Sequence, residues 1–288
     1  ALGRKAINEI SAKRQEKLAN AEYLKLNMSQ ISELHIKLQD IDWKVASPSV
    51  FVNLAWGGVD RLSDQNIQAQ LNNVSWSINA LNAARDINCT RFLQIGTMEE
   101  AFTRKYLDLD FHTNTEYNRH VIYSVAKIAA KNALRIKAQK LGIDYIHALH
   151  SHVMGPDDHK DSFLQVTLHK LVKGEELIFS SGEQLFDVVS IGDCCNGYSL
   201  ICEKGIPGSE YWVGSGKPKK LKEYVELMYR LYPSNAKLNF GELPYNDILL
   251  TESDFSIELL QRHTGYIPRD SFEETVNALH DSFYPNSY

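Results

Sequence analysis

Ser49-Val50-Phe51-Val52-Asn53-Leu54-Ala55 is an almost wholly apolar run that stops at Gly57-Gly58. A strand buried on both faces of a sheet ends in this way. Downstream, Arg91-Phe92-Leu93-Gln94-Ile95 repeats the pattern before Gly96-Thr97, and Tyr145-Ile146-His147-Ala148-Leu149 repeats it again. Helical patterns separate these runs, from about Asn66 to Ala84 and from about Val121 to Lys140. Upstream, Tyr23-Leu24-Lys25-Leu26-Asn27 reads as a strand, and Ser29 to Gln39, with apolar Ile31, Leu34 and Leu38, reads as a helix. Strand, helix and strand repeated in this order predict an α/β fold, a doubly wound parallel sheet with helices on both faces. Ligands of such sheets sit outside the carboxyl ends of the strands, so chemistry is expected just after Ala55, Ile95 and Leu149.

After the Gly155-Pro156-Asp157-Asp158 turn the regularity weakens. A helix near Phe163 to Lys173 is followed by a hairpin-like stretch from Leu177 to Val189, then by Gly- and Pro-containing linkers around Lys204 to Gly208 and Gly214 to Pro218. This is the pattern of a second, smaller region that covers a substrate. The 288 residues allow one large or two modest domains, and 43% hydrophobic with 23% charged residues excludes disorder and fibrous repeats. Thirty-one Lys and Arg against 36 Asp and Glu give a net charge of -5 without a basic block, so nucleic acid is not an expected partner. Cys89, Cys194, Cys195 and Cys202 lack metal-ligand spacing and two are adjacent, which points to a reducing, cytoplasmic setting. No apolar run is long enough to span a bilayer, and the opening ALGRKAINEI does not read as a signal peptide, so no membrane partner is expected.

Tyr123-Ser124-Val125-Ala126-Lys127 lies within the second long helical pattern, so Tyr123 and Lys127 share one helix face. An ammonium close to a phenol favours the phenolate and tunes the phenol for proton exchange with a carbinol oxygen. Alone the spacing is weak, because surface helices pair Tyr and Lys by chance. Thr97 strengthens it: a hydroxyl after a buried strand could hydrogen-bond the same substrate oxygen.

With these residues in place the sequence resembles the extended short-chain dehydrogenase/reductases, the NAD(P)-dependent nucleotide-sugar epimerases, dehydratases and reductases. Leu54-Ala55-Trp56-Gly57 looks like the segment closing the family's fourth strand, Gly96-Thr97 like its Ser/Thr site, and Tyr123 to Lys127 like its Tyr-x-x-x-Lys. His152-Val153-Met154-Gly155-Pro156 resembles its Asn-Val-Tyr-Gly-Pro turn. Gly182 to Val189 and Asp193 resemble the segment returning to the cofactor domain, and Thr264-Gly265-Tyr266-Ile267-Pro268 with Ser271-Phe272-Glu273-Glu274 resembles the closing helix. The resemblance implies a Rossmann-type dinucleotide-binding domain over 1–155, to which 185–203 return, and an α/β substrate domain over 156–184 and 204–288. It further implies a nicotinamide cofactor contacted by Gly3, Asn27, Leu54, Ala55, Trp56, Tyr123, Lys127 and His152. Tyr123, Lys127 and Thr97 take the catalytic roles. A nucleotide-diphosphate sugar would touch Thr97, Met98, His152, Phe186 and Arg262.

The family's phosphate cradle is Gly-x-x-Gly-x-x-Gly, and Gly3 fits its third glycine, which permits close helix packing. Only 19 positions separate Gly3 from the strand near Tyr23, too few for a helix, a strand and both connections. Residues missing before Ala1 and near Ser11-Ala12 are therefore expected; a degenerate, non-binding relative is the alternative. Lys13 and Arg14 mildly favour NADP over NAD if they follow the second strand, and otherwise are a solvated helix face.

Relatives that dehydrate follow the Thr with Asp-Glu, whereas this chain has Met98-Glu99, and Met cannot donate a proton. 4,6-Dehydration is therefore the less expected alternative, and the resemblance implies reduction of a nucleotide-linked 4-keto sugar, in the synthesis of surface polysaccharide precursors. Epimerisation with Glu99 as an auxiliary base is the alternative, against the plainer reading of Glu99 as a solvated turn residue. Phe186 stands where many relatives carry Arg to hold the diphosphate, a role Arg262 could take over. Tyr211-Trp212-Val213 reads as an aromatic wall or, more commonly, as core. His147, His150, His152 and His159 lack a zinc pattern, so no metal is expected. The two long helices form a dimer interface in relatives, which implies a homodimer with Trp76 and Leu81 as possible anchors. A dinucleotide-binding regulatory protein that lost the chemistry is the non-enzyme alternative.

Overall fold

The structure, a computed structural model, describes residues 1–18, 20–57, 66–106, 121–156, 162–244 and 248–285. In chain order the elements are β1 (Leu2–Gly3), α1 (Ala12–Lys17), β2 (Leu24–Lys25), α2 (Leu34–Asp40), β3 (Val50–Asn53), α3 (Ile67–Asp86), β4 (Arg91–Ile95), α4 (Glu99–Tyr106) and α5 (Val121–Leu141). They continue with β5 (Asp144–His150), β6 (His152–Met154), α6 (Phe163–Lys173), β7 (Leu177–Ile178), β8 (Leu185–Phe186), β9 (Val188–Ser190) and α7 (Ile191–Lys204). The last are β10 (Glu210–Val213), β11 (Lys219–Lys220), α8 (Leu221–Leu231), β12 (Leu238–Asn239), α9 (Glu258–Thr264) and α10 (Phe272–Phe283). Gly58, Asp157, Asp158 and His159, named above in turns and in the metal reading, lie outside the described residues.

The fold is α/β and Rossmann-like. A four-stranded sheet has the order β10-β5-β4-β3, with β3 and β4 parallel from Val50 opposite Arg91 to Asn53 opposite Gln94. β3 is an edge strand of this sheet. Val50, Phe51 and Val52 are accordingly half-buried, which corrects the expectation of burial on both faces. The reason is that β1 and β2 pair in parallel with each other, as a separate two-stranded sheet.

Between β1 and β2 the Ser11 carbonyl accepts the N–H groups of Arg14 and Gln15 at 2.9 and 3.0 Å. A three-residue 3-10 turn, Ile7–Glu9, and α1 lie in this interval. Lys13 and Arg14 are exposed on α1, ahead of β2, so the condition that favoured NADP is not met. The stretch from Leu177 to Val189 is not a hairpin either. β7 pairs in parallel with β12, β8 antiparallel with β11, and β9 in parallel with β6.

The chain divides into two compact units. The first holds Ala1–Ile95, Arg119–His147 and Pro207–Ser209; the second holds Gly96–Asn118, Ala148–Ile206 and Glu210–Tyr288. In the first, α3 packs on α5 over a core that includes Leu34, Leu81, Phe92, Leu134 and Tyr145. Each such large side chain removed from water contributes about 1.5–3 kcal/mol. Leu81 is fully buried in this core, so it serves the unit's own packing. In the second unit α6, α8 and α10 enclose Leu164, Leu168, Tyr224, Met228, Val276 and Leu279. The helix ends follow local chemistry. Asn66, Ser162, Ser190 and Ser271 accept backbone N–H groups at the starts of α3, α6, α7 and α10, and Gly174 ends α6 at φ 71°. Tyr211 and Val213 are fully buried, which supports the core reading of that aromatic strand. Among the described residues no helix is long and apolar enough to cross a membrane.

Candidate active site

β3 ends at Asn53 and β4 at Ile95, and an amide relay ties these ends together in the first unit. Asn53 Nδ2 donates to Gln94 Oε1 at 2.9 Å, and Gln94 Nε2 donates to the Ile95 carbonyl at 3.1 Å. The same carbonyl accepts from Lys127 Nζ at 3.2 Å. Lys127 is only 5% exposed. Its ammonium lies 4.1 Å from the centre of the Trp56 ring and 5.7 Å from that of Tyr123. The Trp56 and Tyr123 rings meet edge to face, 6.1 Å apart at 85°. Tyr123 itself is half-buried. Residues far apart in sequence, Trp56, Ile95, Tyr123 and Lys127, thus form one cluster at strand ends, where the fold class predicts chemistry.

The loop that carries Trp56 is held by α3. Trp56 Nε1 donates to Gln70 Oε1 at 2.8 Å, the Gly57 N–H donates to Asn73 Oδ1 at 2.8 Å, and Asn73 Nδ2 donates to the Gly57 carbonyl at 2.7 Å. Gln70, Asn73 and Ser77 are buried, and their spacing along α3 puts all three on one face. The Asn- and Gln-rich composition of this helix is therefore put to internal use.

Thr97, Met98 and Glu99 belong to the second unit, at the start of α4. The Thr97 N–H donates to Glu100 Oε1 at 3.2 Å, and Thr97 Oγ1 accepts the Glu99 N–H at 3.4 Å. This is the Thr-x-x-Glu start signal of a helix, a pattern the sequence carries at Thr97 and Glu100. Glu99 is buried, which corrects its reading as a solvated turn residue, and Glu100 is fully buried. Met98 is half-buried.

In the same unit the His152 and Phe186 rings lie 5.4 Å apart, and the His152 N–H donates to the Asp187 carbonyl at 3.0 Å. Asp187 is buried and accepts from Ser151 Oγ at 2.5 Å, from Ser215 Oγ, and from the Ser215 N–H at 3.0 Å. Burial pushes its carboxyl above the ordinary range, and these hydrogen bonds oppose that shift. Arg262 is exposed on α9. His147 contacts the Tyr145 hydroxyl through Nδ1 at 3.1 Å, and His150 Nδ1 contacts the Ser151 carbonyl at 2.8 Å. Among the described residues no three His, Cys, Asp or Glu side chains are grouped to hold a metal ion.

The residues fit a nicotinamide dinucleotide unevenly. Gly3 is held by packing: a Cβ there would stand 2.1 Å from the Tyr23 hydroxyl, which donates to the Lys5 carbonyl. The 3-10 turn and six-residue α1 that follow form no phosphate-binding helix start. Asn27 is exposed after β2, and its Oδ1 accepts from the N–H and hydroxyl of Ser29, each at 3.0 Å. Leu54 (64% exposed) and Ala55 follow β3 and face solvent. The fit therefore rests on the buried ammonium and half-buried phenol of Lys127 and Tyr123, a pair suited to the reacting end of the cofactor.

The profile of the NAD dependent epimerase/dehydratase family matches residues 5–214. The chain belongs to this family. Among curated members of similar sequence, CDP-abequose synthase of Salmonella muenchen is 24% identical over 198 residues, which cover 66% of this chain and 66% of that protein. Low-salt glycan biosynthesis protein Agl12 of Haloferax volcanii is 24% identical over 247 residues, 84% of this chain and 78% of that one. The chain thus spans about two thirds of the length of the first of these relatives. Solved structures share the fold. RMD of Pseudomonas aeruginosa complexed with NADPH superposes with a TM-score of 0.70 at 15% identity, over 99% of this chain and 98% of that one. dTDP-glucose 4,6-dehydratase of Bacillus anthracis in complex with NAD gives 0.74 at 15% identity, over 99% and 87%.

Proposed function

We propose that the protein reduces the keto group of a nucleotide-linked 4-keto sugar, using NADPH or NADH, in the synthesis of glycan or surface polysaccharide precursors. The observation that carries this reading is the buried ammonium of Lys127 set beside Tyr123 at the end of β4. When bound, the nicotinamide supplies the hydride. The Tyr123 hydroxyl delivers a proton to the ketone oxygen, and the Lys127 ammonium stabilises the phenolate left behind. Thr97 Oγ1 already accepts the Glu99 N–H, so its own proton is available for the substrate oxygen. His152 and Phe186 are assigned to sugar-nucleotide contact from the sequence resemblance, and Met98 contributes no proton. The names of the relatives, a CDP-sugar synthase and a glycan biosynthesis protein, support the substrate class.

A second reading, epimerisation, is favoured by the burial of Glu99, which suits a base better than a solvated turn residue does. One experiment separates the two. Consumption of NADPH and NADH is recorded with CDP-, dTDP-, GDP- and UDP-linked 4-keto sugars. Reduction consumes the dinucleotide in proportion to substrate; epimerisation changes the sugar without net consumption. Tyr123→Phe is expected to lower kcat by about a hundredfold to ten-thousandfold, the size of a general-acid contribution, while dinucleotide affinity holds. Undiminished turnover in that variant refutes the mechanism.

A further inference from the structure

Trp56 is doubly engaged, and neither engagement is with solvent. Its Nε1 donates to Gln70 Oε1 at 2.8 Å, and its ring face lies 4.1 Å beneath the Lys127 ammonium. Indole N–H is a donor only, so the amide oxygen of Gln70 must face it. Among the described residues, that orientation leaves Gln70 Nε2 buried without a hydrogen-bond partner. Such a group costs stability, and this one accompanies the hydrogen bond that holds the indole. On the other side, Lys127 is 5% exposed, so its charge has lost most of its hydration. What replaces that hydration includes the Ile95 carbonyl, itself fixed by the Gln94 amide, and the negative face of the Trp56 ring.

We propose that Trp56 is a positioning residue: pinned by Gln70, it holds the ammonium of Lys127 in its charged form and in place beside Tyr123. This rests on the reading of Tyr123 and Lys127 given above. A cation over an aromatic face is favoured only while it remains a cation, so the ring biases the lysine towards its protonated state. The bias is greatest where water is excluded. Among the described contacts of Lys127, Trp56 and the Ile95 carbonyl do not ionise and Tyr123 does, so the titrations of Lys127 and Tyr123 are read together.

The test uses the whole chain with lysine labelled with carbon-13 at Cε, the Lys127 signal being assigned by its loss in Lys127→Arg. Its titration midpoint is compared in wild type, Trp56→Phe, Trp56→Leu and Gln70→Leu, each checked for a native circular dichroism spectrum. Trp56→Leu is expected to lower the midpoint by about one unit. Trp56→Phe, which keeps an aromatic face, lowers it by less, and Gln70→Leu, which frees the indole, falls between. An unchanged midpoint in folded Trp56→Leu overturns the proposal. If Trp56→Leu does not fold, the other two variants decide: a fall in either supports it, and no change in both overturns it. Turnover is measured alongside. Failure of wild type to act on any keto-sugar nucleotide sinks the proposed function but leaves the titration as the test of the clamp.

Discussion

Gln94 and Asn53 are amides in runs that otherwise read as apolar strand, and both are buried. A buried amide without a partner costs about 1–3 kcal/mol, so each implied a partner in space, although neither named it. The partners are each other and the Ile95 carbonyl, which lies on the β4 residue next to Gln94. Gln94→Leu strands Asn53 Nδ2 and removes one of two donors from that carbonyl; it is expected to cost about 1–3 kcal/mol of stability in urea unfolding. The adjacent cysteines are a second case decided at single residues. Burial pushes the Cys194 thiol up to about 12, whereas Cys195 is exposed on the same helix. Thiol labelling of the native protein is expected to modify Cys195 and to spare Cys194 until the chain unfolds. Equal labelling rates would contradict the burial of Cys194.

At the scale of elements, the sequence marked strand and helix positions well wherever one period dominated. β4 and α6 occupy the predicted ranges, and α3 and α5 differ from theirs by no more than two residues at either end. Pairing was less legible, because a strand's partner is set by distant chain. Leu177 to Val189 reads in sequence as a hairpin, yet it carries β7, β8 and the start of β9, whose partners are β12, β11 and β6. The candidate site followed the same division. Tyr123 and Lys127 were readable from their spacing on one helix, while the Trp56 contact to Lys127 joins two segments that no local pattern connects. Asn73→Ala tests the loop that makes this contact, since it removes both hydrogen bonds to Gly57 from a fully buried amide. It is expected to cost about 2 kcal/mol and to lower kcat together with stability. Around β8 and β11, Glu183 accepts from Lys220 at 2.6 Å and Lys222 at 2.5 Å, and the Lys220 hydrogen bond first, then that of Lys222, draws its carboxyl down to about 2. A depressed carboxylate stabilises the fold above its ordinary value near 4.5, and that contribution is lost as the pH falls through about 2. The Tm difference between wild type and Glu183→Gln should therefore shrink over that window; the pair is exposed, so the difference is small at any pH.

At the scale of the molecule, the exposed apolar side chains of α3 and α5 bear on a second copy of the chain. Leu81, expected as a possible anchor between subunits, is consumed by the core of the first unit, and Trp76 is half-buried beside Gly57. Other side chains remain for such a role. Ile67 and Leu71 on α3, and Val125 and Ile136 on α5, are all exposed, and α3 and α5 pack against each other. On each helix the two lie four or eleven residues apart, spacings that return to nearly the same side. Isolated exposed apolar side chains need no explanation, but four on two neighbouring helices suit a helix-to-helix contact with an identical surface. We propose a homodimer formed through these helices. Light scattering at micromolar concentration is expected to give twice the chain mass, and Leu71→Glu combined with Ile136→Glu is expected to give the monomer with an unchanged circular dichroism spectrum. Glutamates buried in such a contact would face desolvation without a partner, whereas on a free surface they cost almost nothing, so the variant distinguishes the cases by mass alone. A wild-type chain that stays monomeric across that concentration range removes the dimer and leaves the proposed chemistry to rest on Trp56, Tyr123 and Lys127 within one chain.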